Sequence, residues 1–312
     1  MKTRLRSISC FSLLLSLACE PKFEQKSSVT PDRTDDVGAH TAPAASAQEA
    51  DTTIGGQLYD KWFKVESYAG GFAPDSKKTE AVDGAAGPHG NGTLNDGRGE
   101  PMANVGHDYR IKNFFGWDLR GAEGIYGPQY QNKSYVRAVN LLTDERSSAE
   151  LVAWFTRGDE TLPAFGEVLS GPQIEALVGF VVAVRAGELP RPDKIFALST
   201  EAPKNYTLVA GADATAGAAL FDQRCSGCHG DAGENIIIDG DYTVGAFGRM
   251  KAYEGWFKVL NGHPGSPMSR QSTDAQEILD IFAALCDRAA FPPNDGEHEV
   301  ADGDLRCGAY LK

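Results

Sequence analysis

The sequence predicts an all-α fold, because helix-start signals recur along the chain and apolar residues at helical spacing follow each of them. Three of these signals have the spacing of a capping box: Ser147 with Glu150, Ser170 with Gln173, and Thr273 with Gln276. A fourth is Asp213, which can cap a helix that carries Gly217 and Phe221 on one face. The signals fall on both sides of residue 200, which indicates two helical regions.

The most specific motif is the pentapeptide Cys-Ser-Gly-Cys-His that begins at Cys225. This spacing is typical of c-type haem attachment, in which the thiols of Cys225 and Cys228 bond the haem vinyl groups and His229 binds the iron. A redox dithiol would not need the adjacent histidine. A zinc site would need a second cysteine pair of similar spacing, which Cys286 and Cys307 do not form. The motif therefore predicts covalently attached haem c.

The residues around this motif resemble a class I c-type cytochrome, from about residue 211 to residue 290. The segment Asn-Gly-His-Pro-Gly-Ser-Pro-Met that ends at Met268 is similar to the Pro-Met loop that presents a thioether to the iron. The resemblance implies that Met268 is the distal axial ligand. Met250 and His263 are the alternatives, although Met250 lacks neighbouring prolines and His263 would give a bis-histidine haem.

Residues 54–190 resemble a second copy of the same architecture whose haem ligands are replaced. The stretch Ile-Lys-Asn-Phe-Phe-Gly-Trp-Asp is similar to the Cys-x-x-Cys-His-Gly-Trp-Asp segment of a family of bacterial multi-domain cytochromes c. In this alignment Ile111 and Phe114 stand at the thiol positions, and Phe115 stands at the histidine position. Leu162, within Leu-Pro-Ala-Phe-Gly, stands at the axial methionine position.

The two resemblances imply a bacterial two-domain cytochrome c, with two tandem cytochrome c-like domains, the first without haem. Because the four replaced positions are all apolar, side chains are expected to fill the first domain where the haem would lie. An unrelated small helical domain is the alternative. The expectation is one haem per chain.

The N-terminus is typical of an exported protein. Residues 1–18 read as a signal peptide, since basic residues precede an apolar run that is too short to span a membrane. The sequence Leu-Ser-Leu-Ala-Cys ending at Cys19 resembles a bacterial lipobox, although an ordinary signal peptidase site fits as well. Residues 19–53 are polar without a periodic apolar face, and we expect a disordered tether there.

Cysteine counting suggests uses for the remaining thiols. Once the leader is removed and the haem is attached, Cys19, Cys286 and Cys307 remain. A disulfide between Cys286 and Cys307 would suit an oxidising compartment and staple the C-terminal tail, residues 291–312, and it would leave Cys19 for lipidation. Residues 191–210 are expected to link the two domains.

Charge and ligation together favour an electron carrier. The net charge of −13 argues against binding nucleic acid or an anionic membrane by charge. We expect a monohaem cytochrome in the periplasm or cell envelope, lipid-anchored through Cys19, that passes electrons between redox proteins. An iron held by His229 and Met268 has no open position, which disfavours the alternative of a thiosulfate dehydrogenase-like enzyme or subunit. The first domain is alternatively a docking module for a respiratory complex.

Overall fold

Helices dominate the structure, which confirms the all-α prediction, and the described strands form two short antiparallel pairs. A computed structural model describes residues 47–70, 72–74, 87–102, 108–127, 133 and 135–312. The described helices are α1 (Ala47–Lys61), α2 (Ile111–Phe115), α3 (Ser148–Arg157), α4 (Gly171–Ala186), α5 (Ala214–Arg224), α6 (Ser226–His229), α7 (Val244–Met250), α8 (Ala252–Asn261) and α9 (Ala275–Leu285). The strand pairs are β1 (Leu94–Asn95) with β2 (Pro101–Met102), and β3 (Phe196–Leu198) with β4 (Tyr206–Leu208).

Most of the predicted helix caps are present at the expected residues. The backbone N–H of Ser147 donates to the Glu150 carboxylate at 2.8 Å, and the backbone N–H of Ser170 donates to Gln173 Oε1 at 2.9 Å. The carboxylate of Asp213 accepts the backbone N–H groups that start α5. These side chains satisfy amide groups that lack a partner within the helix.

The capping box predicted at Thr273 is wrong by one residue. Asp274 is the cap of α9, because its Oδ1 atom accepts the backbone N–H groups of Gln276 at 2.7 Å and Glu277 at 3.1 Å. A carboxylate here satisfies two amides at once, and its charge complements the positive end of the helix dipole.

The helices form a first set, α1–α4, and a second set, α5–α9, and a close crossing lies at the centre of each. α1 meets α4 at Gly55, where an added Cβ would lie 2.0 Å from the carbonyl oxygen of Ala176. α5 meets α9 at Gly217, where an added Cβ would lie 1.9 Å from the carbonyl oxygen of Asp280. Each crossing therefore requires glycine on its first helix, because any side chain would separate the two backbones.

Aromatic side chains join the two sets into one core. Phe257 of α8 stacks on Tyr59 of α1 with ring centroids 5.5 Å apart, and it also contacts Trp117 at 5.3 Å and Phe180 at 5.5 Å. All four side chains are buried. α8 therefore belongs to the second set by sequence but packs on the first.

The connection predicted as a linker is folded. β3 and β4 form a hairpin from which Phe196 stacks on Tyr253 of α8 with ring centroids 4.2 Å apart. The hydroxyl of Tyr206 accepts the backbone N–H of Ala252 at 3.0 Å. Residues 191–210 thus contribute aromatic side chains to the core as well as joining the two sets.

The C-terminal tail is attached at several points. Phe291 is buried, and Glu299 accepts a hydrogen bond from the buried Arg249 guanidinium, with Nε and Oε1 2.7 Å apart. A disulfide joins Cys286 to Cys307, and their Cα atoms are 5.9 Å apart. The tail consequently covers the end of α9 instead of extending from it.

The N-terminal boundary differs from the predicted one. α1 begins at Ala47, so residues 47–53, assigned to the tether, are helical. The signal peptide, Cys19 and the rest of the tether lie outside the described residues. Among the helices that the structure describes, none is both long and apolar enough to cross a membrane.

Candidate haem-binding site

The Cys-Ser-Gly-Cys-His motif lies at the junction of α5 and α6. The backbone N–H of Cys225 donates to the carbonyl oxygen of Phe221 at 2.8 Å, so the chain enters the motif directly from α5. α6 ends at Gly230, whose φ of +82° favours glycine and whose N–H donates to Ser226 at 2.8 Å. The carbonyl oxygen of His229 accepts the backbone N–H of Asn235 at 2.8 Å. This turn fixes the backbone on both sides of the histidine.

The side chains of the motif have the chemistry that haem attachment requires. Cys225 and Cys228 carry free thiols, and the side chain of Cys228 is exposed while that of Cys225 is partly buried. Burial raises the pKa of the Cys225 thiol to about 11. Burial also lowers the pKa of His229, which favours the neutral imidazole that binds metals. The Nδ1 atom of His229 is buried and has no hydrogen-bond partner among the described residues. Two free thiols and a neutral imidazole within five residues fit a c-type haem.

Met268 lies in a loop that closes on the end of α8. Gly262 ends this helix with a φ of +74°, and an added Cβ there would lie 2.5 Å from the carbonyl oxygen of Met268. The backbone N–H of His263 donates to the same carbonyl at 3.0 Å, and the N–H of Met268 donates to Ser266 Oγ at 3.2 Å. The side chain of Met268 is partly exposed. Residue 262 therefore has to be glycine, because its φ is positive and because the Met268 carbonyl oxygen lies too close for a side chain.

The two competing distal ligands have different settings. Met250 is the last residue of α7, and its carbonyl oxygen accepts a hydrogen bond from Arg306 at 2.8 Å. His263 stands five residues before Met268 in the same loop, and its pKa is lowered by burial and by the charge of Lys258. Both His263 and Met268 are thus carried by the loop that follows α8, whereas Met250 precedes that helix.

The first set repeats the local structure of the haem motif. α2 contains Ile111, Phe114 and Phe115, and it ends at Gly116, whose φ is +76°. The N–H of Gly116 donates to the carbonyl oxygen of Lys112 at 2.8 Å, as the N–H of the glycine after α6 donates four residues back. Phe115 therefore occupies the same place before its glycine as the motif histidine does.

The first set also repeats the closed loop. α3 ends at Gly158 with a φ of +66°, and an added Cβ there would lie 2.3 Å from the carbonyl oxygen of Leu162. The backbone N–H of Asp159 donates to that carbonyl at 3.0 Å. In both loops the backbone N–H of the residue after the glycine donates to the carbonyl oxygen of the residue at the proposed ligand position, Leu162 or Met268. The loop after α8 is two residues longer.

The two sets differ in side-chain burial at these corresponding positions. The side chains of Ile111, Phe114, Phe115 and Leu162 are all 0 % exposed. The ring of Phe115 lies 6.1 Å from that of Phe155, centroid to centroid, and 6.3 Å from that of Phe114. The corresponding residues of the second set are partly or fully exposed. The side chains at these positions are therefore packed inside the first set, whereas Cys225, Cys228, His229 and Met268 are at least partly exposed.

A buried cluster of charged side chains, which the sequence did not predict, connects the two sets near the loop that carries Met268. The carboxylate of Asp60 on α1 bonds Lys258 of α8, and it accepts a hydrogen bond from Arg110 with Nη2 and Oδ1 2.7 Å apart. Burial alone would raise the pKa of Asp60, but these two cations lower it. Asp60 and Lys258 stand 198 positions apart, so no local signal could have paired them.

A family comparison identifies the second set. The family model of cytochrome c oxidase, cbb3-type, subunit III, matches residues 212–283. Residues 212–283 are a cytochrome c domain. The cytochrome c domain includes the Cys-Ser-Gly-Cys-His motif and Met268, and it implies covalently bound haem c, electron transfer and redox protein partners.

Other comparisons are distant. The thiosulfate dehydrogenase (TsdBA) from Marichromatium purpuratum aligns with 86 % of this chain at 15 % sequence identity and a TM-score of 0.21. The alignment covers 54 % of that protein, so the chain spans about half its length. No curated protein matches the chain.

Proposed function

We propose that the chain is an exported monohaem cytochrome c that carries single electrons between redox proteins of the cell envelope. The observation that carries this proposal is the contrast between the two sets. Ligand-type side chains are accessible at Cys225, Cys228, His229 and Met268, whereas the corresponding positions of the first set are apolar and buried. The second set therefore carries the residue types that hold haem at these positions, and the first set carries apolar side chains at its corresponding positions.

In the proposed site, Cys225 and Cys228 hold the haem covalently, and His229 and Met268 are its axial ligands. The bound haem supplies an iron that cycles between the ferric and ferrous states. His229 takes part as the neutral imidazole, which its lowered pKa favours. Met268 is presented by the loop that Gly262 closes. With both axial positions held by the protein, electron transfer through the haem edge is favoured over chemistry on a substrate.

The first set, in this proposal, is a haem-less copy of the same domain. Three features occur in both sets and support this. They are a helix crossing at a glycine (Gly55 and Gly217), a positive-φ glycine after a short helix (α2 and α6), and a closed loop after a longer helix (α3 and α8). An unrelated helical domain would not be expected to match all three in the same order. The packed aromatic rings around Phe115 give this copy a core that needs no cofactor.

Export and anchoring complete the proposal. Cytochrome c maturation and a disulfide such as Cys286–Cys307 both suit an oxidising compartment outside the cytoplasm. The basic and apolar leader, residues 1–18, supports export, and the lipobox-like sequence before Cys19 supports a lipid anchor. Envelope redox proteins are the proposed partners.

A pyridine haemochrome assay on the purified full-length protein tests the haem count. We expect one haem per chain, and two haems per chain would contradict the haem-less assignment of the first set. Mass spectrometry of a Cys225→Ser, Cys228→Ser variant should find no covalently attached haem.

Optical spectroscopy tests the axial ligand and the carrier role. The ferric protein should show the methionine-to-iron charge-transfer band, and Met268→Ala should lose it. Met250→Leu and His263→Asn are matched controls that should retain the band. If Met268→Ala keeps the band, Met268 is not the ligand. A spectrum that changes on addition of thiosulfate or another small substrate would favour the enzyme alternative.

A further inference from the structure

The loop that carries Met268, residues 262–270, lies against α1 of the first set. At the end of α8, from which this Met268 loop departs, the side-chain amide of Gln57 donates to the carbonyl oxygen of Asn261 at 3.0 Å. At its end, Arg270 Nη2 donates to the hydroxyl of Thr52 at 3.2 Å. The residue before the loop and the last residue of the loop are therefore bonded to residues five positions apart on one helix.

The middle of the loop touches the same region. An added Cβ at Gly265 would lie 3.2 Å from the carbonyl oxygen of Lys64, which follows α1, and 3.4 Å from its Cβ. The Met268 loop and the residue before it thus contact the first set at three points. None of these contacts involves Met268 itself.

Close packing at the end of α8 strengthens the contact. An added Cβ at Gly56 would lie 2.1 Å from Oδ1 of Asn261, a residue that is fully buried. The buried bond between Asp60 and Lys258 joins the same two helices one turn further along. Both features fix the residues of α8 from which the Met268 loop departs.

We infer that α1 positions the Met268 loop, with Thr52 and Gln57 as its positioning residues, so that the haem-less set controls how firmly Met268 stays on the iron. This inference rests on the proposed function, in which Met268 is the axial ligand. A methionine can leave the iron only if its loop moves. A movement that takes the loop and the end of α8 away from α1 breaks the bonds to Thr52 and Gln57, so these bonds favour the ligated state.

The test is a pH titration of the methionine-to-iron band in the ferric full-length protein. Thr52→Val and Gln57→Leu together remove both hydrogen bonds and keep the side-chain volumes similar. One such bond typically shifts an equilibrium about fivefold, so release of Met268 should become roughly 25-fold more favourable. For a band that is lost as the pH rises, with release of one proton, the pH at which half of the band is lost should then fall by about 1.4. Peptides spanning residues 262–270 should also exchange amide hydrogens faster.

A matched control separates positioning from general stability. Thr156→Val with Gln173→Leu removes a threonine hydroxyl bond to Val152, a glutamine amide bond to Ser67 and the bond from Gln173 to the N–H of Ser170 that caps α4. All three bonds lie within the first set, and none touches the Met268 loop. This control should lower the unfolding midpoint without moving the band. If the double variant binds too little haem to measure, Thr52→Val alone should lower the midpoint pH by about 0.7.

The outcomes distinguish the two proposals. A wild-type band that Met268→Ala abolishes, together with a Thr52→Val, Gln57→Leu midpoint equal to that of the control, would overturn the inference and leave the proposed function intact. A wild-type protein without the band would overturn the proposed ligand, and this inference with it.

Discussion

Asp118 lies in the turn after α2, and its buried carboxyl group should make the protein less stable as the pH rises. Its carboxylate is 0 % exposed, and one oxygen accepts the backbone N–H of Ile125 at 3.0 Å. The other oxygen, Oδ1, has no hydrogen-bond partner in the described part of the chain. Burial raises its pKa from 3.8 to about 6. The folded state therefore holds the proton more tightly than the unfolded state does. The stabilisation is fully present below pH 3.8 and is lost as the pH rises through about 6.

The size of the effect follows from the two pKa values. A shift of about two units corresponds to about 3 kcal/mol at pH 8, and roughly half of that is already lost at pH 5. Asp118→Asn stays neutral at every pH. Relative to the wild type, the variant should therefore gain about 1.5 kcal/mol in the free energy of unfolding between pH 5 and pH 8. Any constant cost of the buried amide cancels in this comparison.

Chemical denaturation of both proteins at pH 5 and pH 8 measures this difference. Asp144→Asn is the control, because the bond to Arg146 opposes burial and lowers the pKa of Asp144, which is thus ionised at both pH values. Its effect on the free energy of unfolding should be equal at pH 5 and pH 8. If Asp118→Asn also changes the free energy of unfolding by the same amount at pH 5 and pH 8, the reasoning that burial raises the pKa of Asp118 is refuted.

Three further predictions concern stability. Phe115→Ala should cost about 3–5 kcal/mol in chemical denaturation and leave the haem spectrum unchanged; a shifted haem spectrum would contradict a separate apolar core. Replacing Cys286 and Cys307 together by serine should cost about 2–5 kcal/mol, and denaturation in a reductant should then match that of the reduced wild type. Gly217→Ala should lower the thermal unfolding midpoint far more than Gly171→Ala, because an added Cβ meets a carbonyl oxygen at residue 217 and open space at residue 171.

The structure shows which parts of the fold were readable from local sequence. The haem motif, the caps at Ser147, Ser170 and Asp213, and the all-α class each depend on residues within a few positions of one another. The alignment of Phe115 with the motif histidine was also local, and the structure gives both residues the same place before a positive-φ glycine. Such signals survive in a sequence because the helix turn that they specify is itself local.

Other features were decided by tertiary packing. The segment 191–210 has the composition of a connection, yet Phe196 and Tyr206 place it in the core, because aromatic rings on α8 offer them a surface. The cap of α9 shifted to Asp274, because its carboxylate reaches two amides. The start of α1 at Ala47 was also missed, since that part of the helix carries no periodic apolar face.

The sequence by itself predicted a c-type haem motif that begins at Cys225 and a second stretch with apolar residues at the corresponding positions. The tertiary structure alone decided that α1 of the first set packs on α8 and the Met268 loop of the other, through Gln57, Thr52 and the buried pair of Asp60 and Lys258. The physical reason is distance along the chain. Residues about 200 positions apart leave no periodic or spacing signal, and only the packed core brings them together.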